Sequence, residues 1–225
     1  MSKVLIIGDL HGRLSIVEKA FRSGYKCVFI GDYLDSYDKS PMEQVETLGA
    51  VLGAVGGKPD MYTALIGNHE LSYLDRDMQC SGYTVQTQMY LKVFQNDIEK
   101  YLKPYTYVGN FLVSHAGVSQ AFLEHNDITL DEYLTKGDYN QIGYTRGGAH
   151  QIGGLYWCDW FQEFEPIPGQ PQIVGHSGYR PPGSYEGILE RDGNFNVDCY
   201  EYKEQFLLVD EDTSEVRVIT LEEDL

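Results

Sequence analysis

The sequence predicts an α/β protein, and two patterns carry this prediction. Strand-like apolar runs alternate with helix-like segments over the first 66 residues. Such an alternation is typical of parallel strands that are joined by right-handed helical crossovers. From residue 172 onward, short apolar runs alternate with turn residues. We expect these later strands to form a second sheet.

Three strands and two helices are expected in the alternating part. We predict strands over residues 4–7, 27–30 and 61–66, and helices over residues 14–21 and 40–55. The apolar positions of the first helix recur at helical spacing. Ser40, Pro41 and Glu43 combine an N-cap serine, a proline at the first helical position and a capping-box glutamate. These three residues predict where the second helix begins.

The middle of the chain combines a helical segment with a hairpin. Residues 71–102 are polar and helix-prone, and we expect them to cover one side of a functional site. Gly109 and Asn110 form a turn signal between apolar runs at 105–108 and 111–113. This pattern predicts two paired strands.

The region at about 137–171 differs from the rest, because it is rich in Gly, Tyr and Trp and has no sustained period. Long stretches of this kind are usually lids or binding loops, and we expect one here. Before it, Thr129 and Glu132 form a capping box that opens a short helix. After it, we predict strands over residues 172–174, 187–189, 195–197, 206–209 and 216–219.

The composition describes an ordinary globular protein. The chain has 225 residues, of which 42% are apolar and 23% are charged, and this length suits one sizeable core. We expect one domain over residues 1–225. We expect no signal peptide, because the first residues lead straight into a strand, and no apolar run approaches the ~18 residues of a membrane span. We therefore expect a cytoplasmic protein without a membrane partner.

The net charge narrows the classes of partner that we expect, and the cysteine spacing indicates the state of the thiols. Thirty-four acidic residues against seventeen basic residues give a formal net charge of −17. Because nucleic-acid binding depends on neutralising phosphates, we expect no nucleic-acid partner. The same charge repels small phosphates unless metal ions reverse it locally. The four cysteines have no CxxC spacing, so free thiols are expected.

Five short polar stretches, each with a glycine, follow strand-like runs. They are Gly8-Asp9-Leu10-His11-Gly12, Gly31-Asp32-Tyr33-Leu34-Asp35, Gly67-Asn68-His69-Glu70, Ser114-His115-Ala116-Gly117 and Gly175-His176-Ser177. In open α/β sheets, ligands bind where loops converge beyond the carboxyl ends of the strands. The stretches would bring together six oxygen and nitrogen donors, namely Asp9, His11, Asp32, Asn68, His115 and His176.

This donor set predicts a pair of divalent metal ions. Mixed carboxylate, amide and imidazole ligands suit Mn, Fe, Zn, Ni or Co, and manganese is the ion that we most expect in vitro. Six donors exceed what one catalytic ion with open positions needs, and a carboxylate can bridge two ions. Two ions about 3.5–4 Å apart can hold a bridging hydroxide and clamp the oxygens of a phosphoryl group.

His69 is the motif histidine that we do not assign to a metal. A neighbouring histidine can protonate a leaving alkoxide, which is worth about 10²- to 10⁴-fold in rate. Asp35 could accept a hydrogen bond from the other ring nitrogen and orient the ring. His125 and His150 follow no comparable motif, and we expect them to be surface or loop residues.

Together and in this order, the five stretches resemble the motifs of the calcineurin-like metallophosphoesterases. The branch to which they are most similar is the phosphoprotein phosphatases of bacterial and bacteriophage type. The resemblance runs from Asp9 to His176 and implies a four-layer α/β/β/α sandwich with two mixed β-sheets. It implies a first metal held by Asp9, His11 and Asp32, and a second held by Asp32, Asn68, His115 and His176. It also implies that His69 and Asp35 form the acid pair.

One position departs from the pattern of that branch, which usually carries an arginine after its second motif. Here Asp35 is followed by Ser36, which cannot bind phosphate bidentately as arginine does. Arg146 and Arg180 are the candidate replacements. We prefer Arg146, because the family places a second phosphate-binding arginine before a Leu-Trp segment that 155–157 resembles.

The leading hypothesis is therefore a phosphatase that hydrolyses phosphomonoesters by attack of a metal-bridging hydroxide. Its expected substrate is phosphoserine or phosphothreonine in a protein, or else phosphotyrosine. A dinucleoside polyphosphate hydrolase or a small-molecule phosphodiesterase is the alternative, since the same site could serve either. A third hypothesis is a metal-binding protein with weak catalysis, because the expected arginine is missing.

Overall fold

The computed structural model describes residues 2–75, 80–178 and 185–221. In this part of the chain, eleven strands form two mixed sheets, accompanied by seven α-helices. The strands are β1 (Lys3–Ile7), β2 (Lys26–Phe29), β3 (Tyr62–Leu65), β4 (Leu102–Lys103), β5 (Tyr105–Val108), β6 (Phe111–Ser114), β7 (Gln172–Val174), β8 (Leu189–Arg191), β9 (Asn194–Asn196), β10 (Phe206–Asp210) and β11 (Val216–Ile219). The helices are α1 (Leu14–Arg22), α2 (Pro41–Gly57), α3 (Asn68–Leu74), α4 (Val85–Leu91), α5 (Gln95–Tyr101), α6 (Gln120–His125) and α7 (Leu130–Lys136).

The first sheet has the strand order β11-β10-β1-β2-β3-β4. Strands β1 to β4 run parallel, whereas β10 pairs antiparallel with both β1 and β11. The second sheet has the order β5-β6-β7-β9-β8, with the parallel strands β6, β7 and β9 flanked by antiparallel neighbours. The crossover helices α1 and α2 join the parallel strands of the first sheet.

The two sheets pack face to face, with helices on their outer faces. Successive side chains of a strand point to opposite faces. Leu5 of β1 therefore packs in the cluster that includes helices α1 and α2, whereas its neighbour Ile6 packs between the sheets. Leu112 of β6 likewise lies with residues of α6 and α7, and Val113 faces the first sheet. This is the four-layer α/β/β/α arrangement that the family resemblance implied.

The predicted alternation is confirmed, because the first three strands and two helices lie within two residues of their expected bounds. The capping box of α2 is present, with Ser40 Oγ accepting from Glu43 N and the Glu43 carboxylate accepting from Ser40 N at 2.8 Å. The capping box at Thr129 and Glu132 opens α7 in the same way. Local signals therefore placed these helix starts correctly.

The prediction that the strands after residue 172 form the second sheet holds for β7, β8 and β9 and is wrong for the last two strands. Strands β10 and β11 belong to the first sheet, where β10 lies beside β1, and the hairpin β5–β6 joins the second. All five residues of β10 are buried, which suits a strand inside a sheet. Strand β4 and helix α6 were not predicted. Pairing partners far apart in the sequence leave no local signal.

Replacing Gly53 by alanine is expected to raise the free energy of unfolding by about 0.5–1 kcal/mol, because glycine is a poor residue inside a helix. Gly53 lies in α2, and a methyl group there would meet nothing within 4 Å. Gly49→Ala in the same helix is the matched control, since its methyl would lie 2.9 Å from Phe94 Cζ. Urea unfolding of both variants checks this, and an unchanged Gly53→Ala protein would contradict it.

No helix in the described residues is long and apolar enough to cross a membrane.

Candidate metal centre

The five polar stretches lie at the carboxyl ends of β1, β2, β3, β6 and β7. These ends meet at one edge of the two packed sheets, and the donor residues come together there. Asp32 Oδ2 lies 3.3 Å from His115 Nε2 and 4.0 Å from His11 Nε2. Asp9 Oδ2 accepts a hydrogen bond from the backbone N–H of His176 at 3.0 Å. Residues up to 167 positions apart thus share one site.

Two groups of side chains in the described residues could each hold a metal ion, and Asp32 belongs to both. The first group is His11, Asp32 and His69, and the second is Asp32, His115 and His176. Within each group, the ligand atoms all lie within 4.8 Å of one another. A carboxylate that faces two such groups can bridge two ions.

Asn68 adds an amide oxygen to the second group. Its Oδ1 lies 2.8 Å from His115 Nε2 and 2.8 Å from His176 Nδ1. Its Nδ2 donates to Cys80 Sγ at 3.3 Å, which turns the oxygen toward the two imidazoles. The second group therefore offers three kinds of ligand atom from four strand ends.

Two histidine rings of the site, those of His11 and His115, are oriented by backbone carbonyls. His11 Nδ1 lies 2.6 Å from Leu34 O, and His115 Nδ1 lies 3.0 Å from Ile30 O. A carbonyl oxygen only accepts, so each Nδ1 carries a proton, and Nε2 is the nitrogen that each ring turns toward the site. Metal-binding histidines in proteins are commonly held in this way.

Buried atoms without partners further indicate that cations fit here. Asp9 Oδ1 and His176 Nε2 are buried and have no hydrogen-bond partner in the described structure. Burial raises the pKa of Asp9 well above its usual value, and the nearby carboxylates of Asp198 and Asp32 add to this effect. Crowded carboxylates and unpaired buried atoms are both relieved by a bound cation. The donor set therefore fits divalent metal ions.

His69 differs from His11 and His176 in the direction in which its pKa is shifted. Burial lowers the pKa of His11 and of His176, so both rings are neutral at pH 7. Burial also acts to lower the pKa of His69, but the Asp32 charge and the Asp35 hydrogen bond outweigh it and raise the pKa to about 9. A protonated imidazole has no lone pair for a metal.

The structure brings His69 and Asp35 together. His69 Nδ1 lies 2.8 Å from Asp35 Oδ2, and the Asp35 side chain is fully buried. His69 Nε2 lies 3.8 Å from Asp32 Oδ2, so this end of the ring faces the metal groups. The ring is thus held at one nitrogen and points the other into the site.

The backbone around these side chains is strained. Four site residues without the freedom of glycine have positive φ angles, namely His11 (42°), Asp32 (51°), Asp35 (60°) and His176 (66°). Each such residue costs on the order of 1–3 kcal/mol, which the surrounding fold must offset. Strained residues of this kind concentrate at functional sites.

Two glycines of the motifs leave room for carboxylates. A Cβ atom on Gly67 would lie 2.1 Å from Asp32 Oδ1, and a Cβ atom on Gly175 would lie 2.1 Å from Asp9 Oδ1. No other residue type fits at either position without moving a candidate metal ligand. The close approach of these strand ends thus explains both glycines.

Glu70 holds the second motif in place, although sequence reasoning gave it no role. Its carboxylate is fully buried and accepts the backbone N–H groups of Asp32, Tyr33 and Gly67 at 2.9–3.0 Å. These bonds tie the strand ends of β2 and β3 to each other. The position of Asp32 therefore depends on Glu70.

A cavity of about 430 Å³ opens over the metal groups. Its lining residues come from the metal groups and two covering segments, and they are His11, Asp32, Asn68, His69, Cys80, Ser81, Ile142, Arg146, Gly147, Trp157 and His176. Cys80 and Ser81 belong to the segment at 71–102, which was expected to cover the site. The other covering residues belong to the expected lid or loop region at 137–171.

Arg146 is the candidate phosphate-binding arginine that the structure describes, and it lines this cavity. Its Nη2 donates to Asp159 Oδ2 at 2.9 Å and to Ser177 Oγ at 3.1 Å. Arg180 lies outside the described residues. Ser36 is not among the lining residues, and its hydroxyl donates instead to Asp38 Oδ1 at 2.7 Å.

The region at 137–171 is held together by a buried carboxylate. It contains a 3-10 helix at Tyr144–Arg146, and Glu163 accepts the N–H groups of Gly153 and Asp159 at 2.9 and 3.1 Å. The hydroxyl of Thr145 also donates to Glu163. His150 in this region and His125 in α6 are exposed and do not line the cavity.

Sequence reasoning missed Cys80 and Asp159, which contact Asn68 and Arg146. Neither follows a strand that carries a motif, so the signal used for the other residues does not apply to them. Asp159 could have been found from its place beside the aromatic residues Trp157 and Trp160 in the covering region. Cys80 has no comparable signal.

Known structures share this fold across nearly the whole chain. A cold-active protein-tyrosine phosphatase of the psychrophile Shewanella sp. matches with a TM-score of 0.63 at 16% identity, covering 99% of this chain and 81% of that one. A protein serine/threonine phosphatase from Saccharomyces cerevisiae matches with a TM-score of 0.59 at 15% identity, covering 100% and 81%. A metallophosphoesterase from Sphaerobacter thermophilus matches with a TM-score of 0.50 at 17% identity, covering 98% and 88%.

No curated protein matches this chain in sequence. The family model described as calcineurin-like phosphoesterase matches residues 2–209, which include all five polar stretches. The chain therefore belongs to the calcineurin-like phosphoesterase family.

Proposed function

We propose that the protein is a phosphatase that hydrolyses phosphomonoesters with a pair of divalent metal ions, of which manganese is the first to test. Its family indicates a metal-dependent phosphoesterase. One observation carries the narrower proposal. Members of both donor groups, which share Asp32, line one cavity together with a charged His69 and the guanidinium of Arg146. These are the groups that a phosphomonoester needs around its phosphorus and leaving oxygen.

The donors divide between the two proposed ions as follows. Asp9, His11 and Asp32 would hold the first ion, and Asp32, Asn68, His115 and His176 would hold the second. When bound, the ions supply a nucleophile at neutral pH and neutralise the charge of the phosphoryl group. Asp9 is not a member of the first donor group, which is His11, Asp32 and His69. Its buried Oδ1 has no hydrogen-bond partner in the described structure, and this supports placing Asp9 among the ligands of the first ion.

We assign proton donation to His69. Its Nδ1 is bonded to Asp35, so Nε2 is the nitrogen that can give a proton to the leaving oxygen. The Asp35 carboxylate stabilises the charged ring and fixes its plane. In the first donor group His69 would compete as a ligand, but its charge and its bond to Asp35 favour the acid role.

Phosphoproteins are the substrates that we favour, with phosphoserine or phosphothreonine before phosphotyrosine. Two of the structures that share the fold are named as protein phosphatases, which supports this class. The cavity of about 430 Å³ opens to the surface, as a side chain that projects from a protein substrate requires.

A dinucleoside polyphosphate or another phosphodiester is the second candidate substrate. A neighbouring cavity of about 480 Å³ shares Arg146 and His176 with the first and is also lined by Phe161. The side chain of Phe161 is exposed, so it could stack on a nucleobase. A second group on the phosphorus would have room on that side.

A substrate panel tests the proposal. Protein loaded with manganese is assayed on phosphoserine and phosphotyrosine peptides, p-nitrophenyl phosphate, bis-p-nitrophenyl phosphate and diadenosine tetraphosphate, with chelator-treated protein as the control. Turnover of the monoesters in the metal-loaded protein supports a phosphatase. Preference for the diester or the dinucleotide favours the second candidate. Bound metal without turnover of any substrate would contradict both and favour a binding protein.

Arg146→Ala is expected to lower kcat/KM for phosphomonoesters by about 10- to 100-fold, because a charged hydrogen bond to phosphate is worth ~1.5–3 kcal/mol. Metal content should stay unchanged, since the Arg146 guanidinium bonds Asp159 and Ser177, neither of which is a candidate metal ligand. Arg217→Ala is the matched control, because Arg217 is exposed on β11 and lines neither cavity. Unchanged kcat/KM in Arg146→Ala would exclude it as the phosphate ligand.

A further inference from the structure

The buried carboxylate of Asp35 is held on both of its oxygens. Oδ2 lies 2.8 Å from His69 Nδ1, and Oδ1 accepts a hydrogen bond from the hydroxyl of Tyr73 in α3. The backbone N–H of Asp35 is bonded in turn to Gln44 Oε1 at 2.9 Å. Neither family motif nor sequence pattern pointed to Tyr73.

We propose that Tyr73 is a positioning residue for proton donation, which fixes the Asp35 carboxylate and through it the ring of His69. The proposal rests on the acid role of His69 in the proposed function. A carboxylate bonded at one oxygen can rotate about its last side-chain bond. A second bond at the other oxygen fixes the plane of the group, and the direction of the His69 ring follows from that plane.

The hydroxyl of Tyr73 acts as the donor in this arrangement. The backbone N–H of Thr84 donates to the same hydroxyl oxygen at 3.3 Å, so the hydroxyl proton is left for Asp35. Burial raises the pKa of Tyr73 well above its usual value, and the Asp35 hydrogen bond adds to this effect. The hydroxyl therefore keeps its proton at neutral pH.

The segment that follows α3 closes over this chain of bonds. A Cβ atom on Gly82, which has φ +92°, would lie 2.8 Å from Asp35 Cβ, so the segment lies directly against Asp35. Tyr83 stacks on Tyr73 with ring centroids 4.9 Å apart. The hydroxyl of Tyr83 donates to Gln88 and has no bond to Asp35 or His69 in the described structure.

A role in packing alone is the competing explanation, because Tyr73 is also a member of the hydrophobic core. The two explanations differ in their dependence on the leaving group. A good leaving group such as nitrophenolate needs little protonation, whereas the alkoxide of serine needs a proton as it departs. Loss of positioning should therefore slow only the second kind of substrate.

The test compares two variants that each lose one hydroxyl and keep the ring, Tyr73→Phe and Tyr83→Phe. Tyr73→Phe is expected to lower kcat about tenfold on a phosphoserine peptide and less than about twofold on p-nitrophenyl phosphate. The tenfold loss is smaller than the ~10²- to 10⁴-fold rate contribution of a general acid, because His69 itself is still present. Tyr83→Phe should leave both values unchanged. In an Asp35→Ala background, Tyr73→Phe should add less than about twofold, because the two residues act as a unit.

A second readout does not depend on turnover. In metal-free protein labelled with ¹⁵N-histidine, the Nδ1–H signal of His69 is assigned by its absence from His69→Asn. Tyr73→Phe should shift or broaden this signal, and Tyr83→Phe should not. The proposal is overturned if the Tyr73→Phe signal matches wild type, or if both substrates slow equally. Should wild-type protein turn over no phosphomonoester, the proposed function fails, and the Nδ1–H signal still decides whether Tyr73 positions His69.

Discussion

His69→Asn is expected to lower kcat on a phosphoserine peptide by at least about 10²-fold, while the protein keeps its full complement of metal. The reason lies in the ring itself, which is bonded to Asp35 at Nδ1 and points Nε2 toward the metal groups. Asparagine cannot carry the proton that the leaving oxygen needs. Steady-state kinetics with metal analysis by mass spectrometry check both parts of the prediction.

The controls for His69→Asn separate proton donation from metal binding. On p-nitrophenyl phosphate the loss should be much smaller, because that leaving group departs without a proton. His125→Asn should behave as wild type, since His125 is exposed on α6 and away from the cavity. Loss of metal from His69→Asn would contradict the acid role and make His69 a ligand of the first donor group.

Asp32→Asn is expected to have the largest effect of any single change, because Asp32 belongs to both donor groups. The asparagine amide lacks the negative charge that attracts two cations. Its nitrogen, which replaces one carboxylate oxygen, has no lone pair with which to bind a metal. We expect bound metal to fall below one ion per chain after dialysis, and kcat to fall on the order of 10³-fold or more.

The matched control for Asp32→Asn removes a ligand of one group only. His11→Asn should lose about one ion and keep the other, since His11 belongs to the first donor group and not to the second. Circular dichroism confirms that both variants are folded. Equal metal loss in the two variants, or two ions retained in Asp32→Asn, would contradict a bridging role.

Much of the site could be predicted because its residues follow strands directly. Asp9, Asp32 and Asn68 each come within three residues of the end of a strand that the sequence marks clearly. In parallel strands such ends meet at one edge of the sheet, so sequence position alone brings the side chains together. The glycines beside them have the same origin, since the strand ends approach too closely for a Cβ atom.

The parts that could not be predicted depend on contacts between distant segments. Tyr73 lies on the helix after Asn68, but its partner Asp35 is 38 positions earlier in the chain. Glu70 likewise bonds N–H groups 36–38 positions away. The placement of β10 beside β1 is the extreme case. Such pairings depend on the assembled sheet and leave no periodicity in the sequence.

The position of β10 also bears on how the protein is made. Strand β1 lies between β2 and β10, and Lys3 pairs with Asp210. On the ribosome, β1 therefore emerges roughly two hundred residues before its second neighbour, and one of its edges stays open until β10 has been made. The strand that leads to Asp9 therefore gains its second hydrogen-bonded neighbour only after β10 has been made. We therefore expect the donor set that includes Asp9 to become rigid only after β10 has joined the sheet.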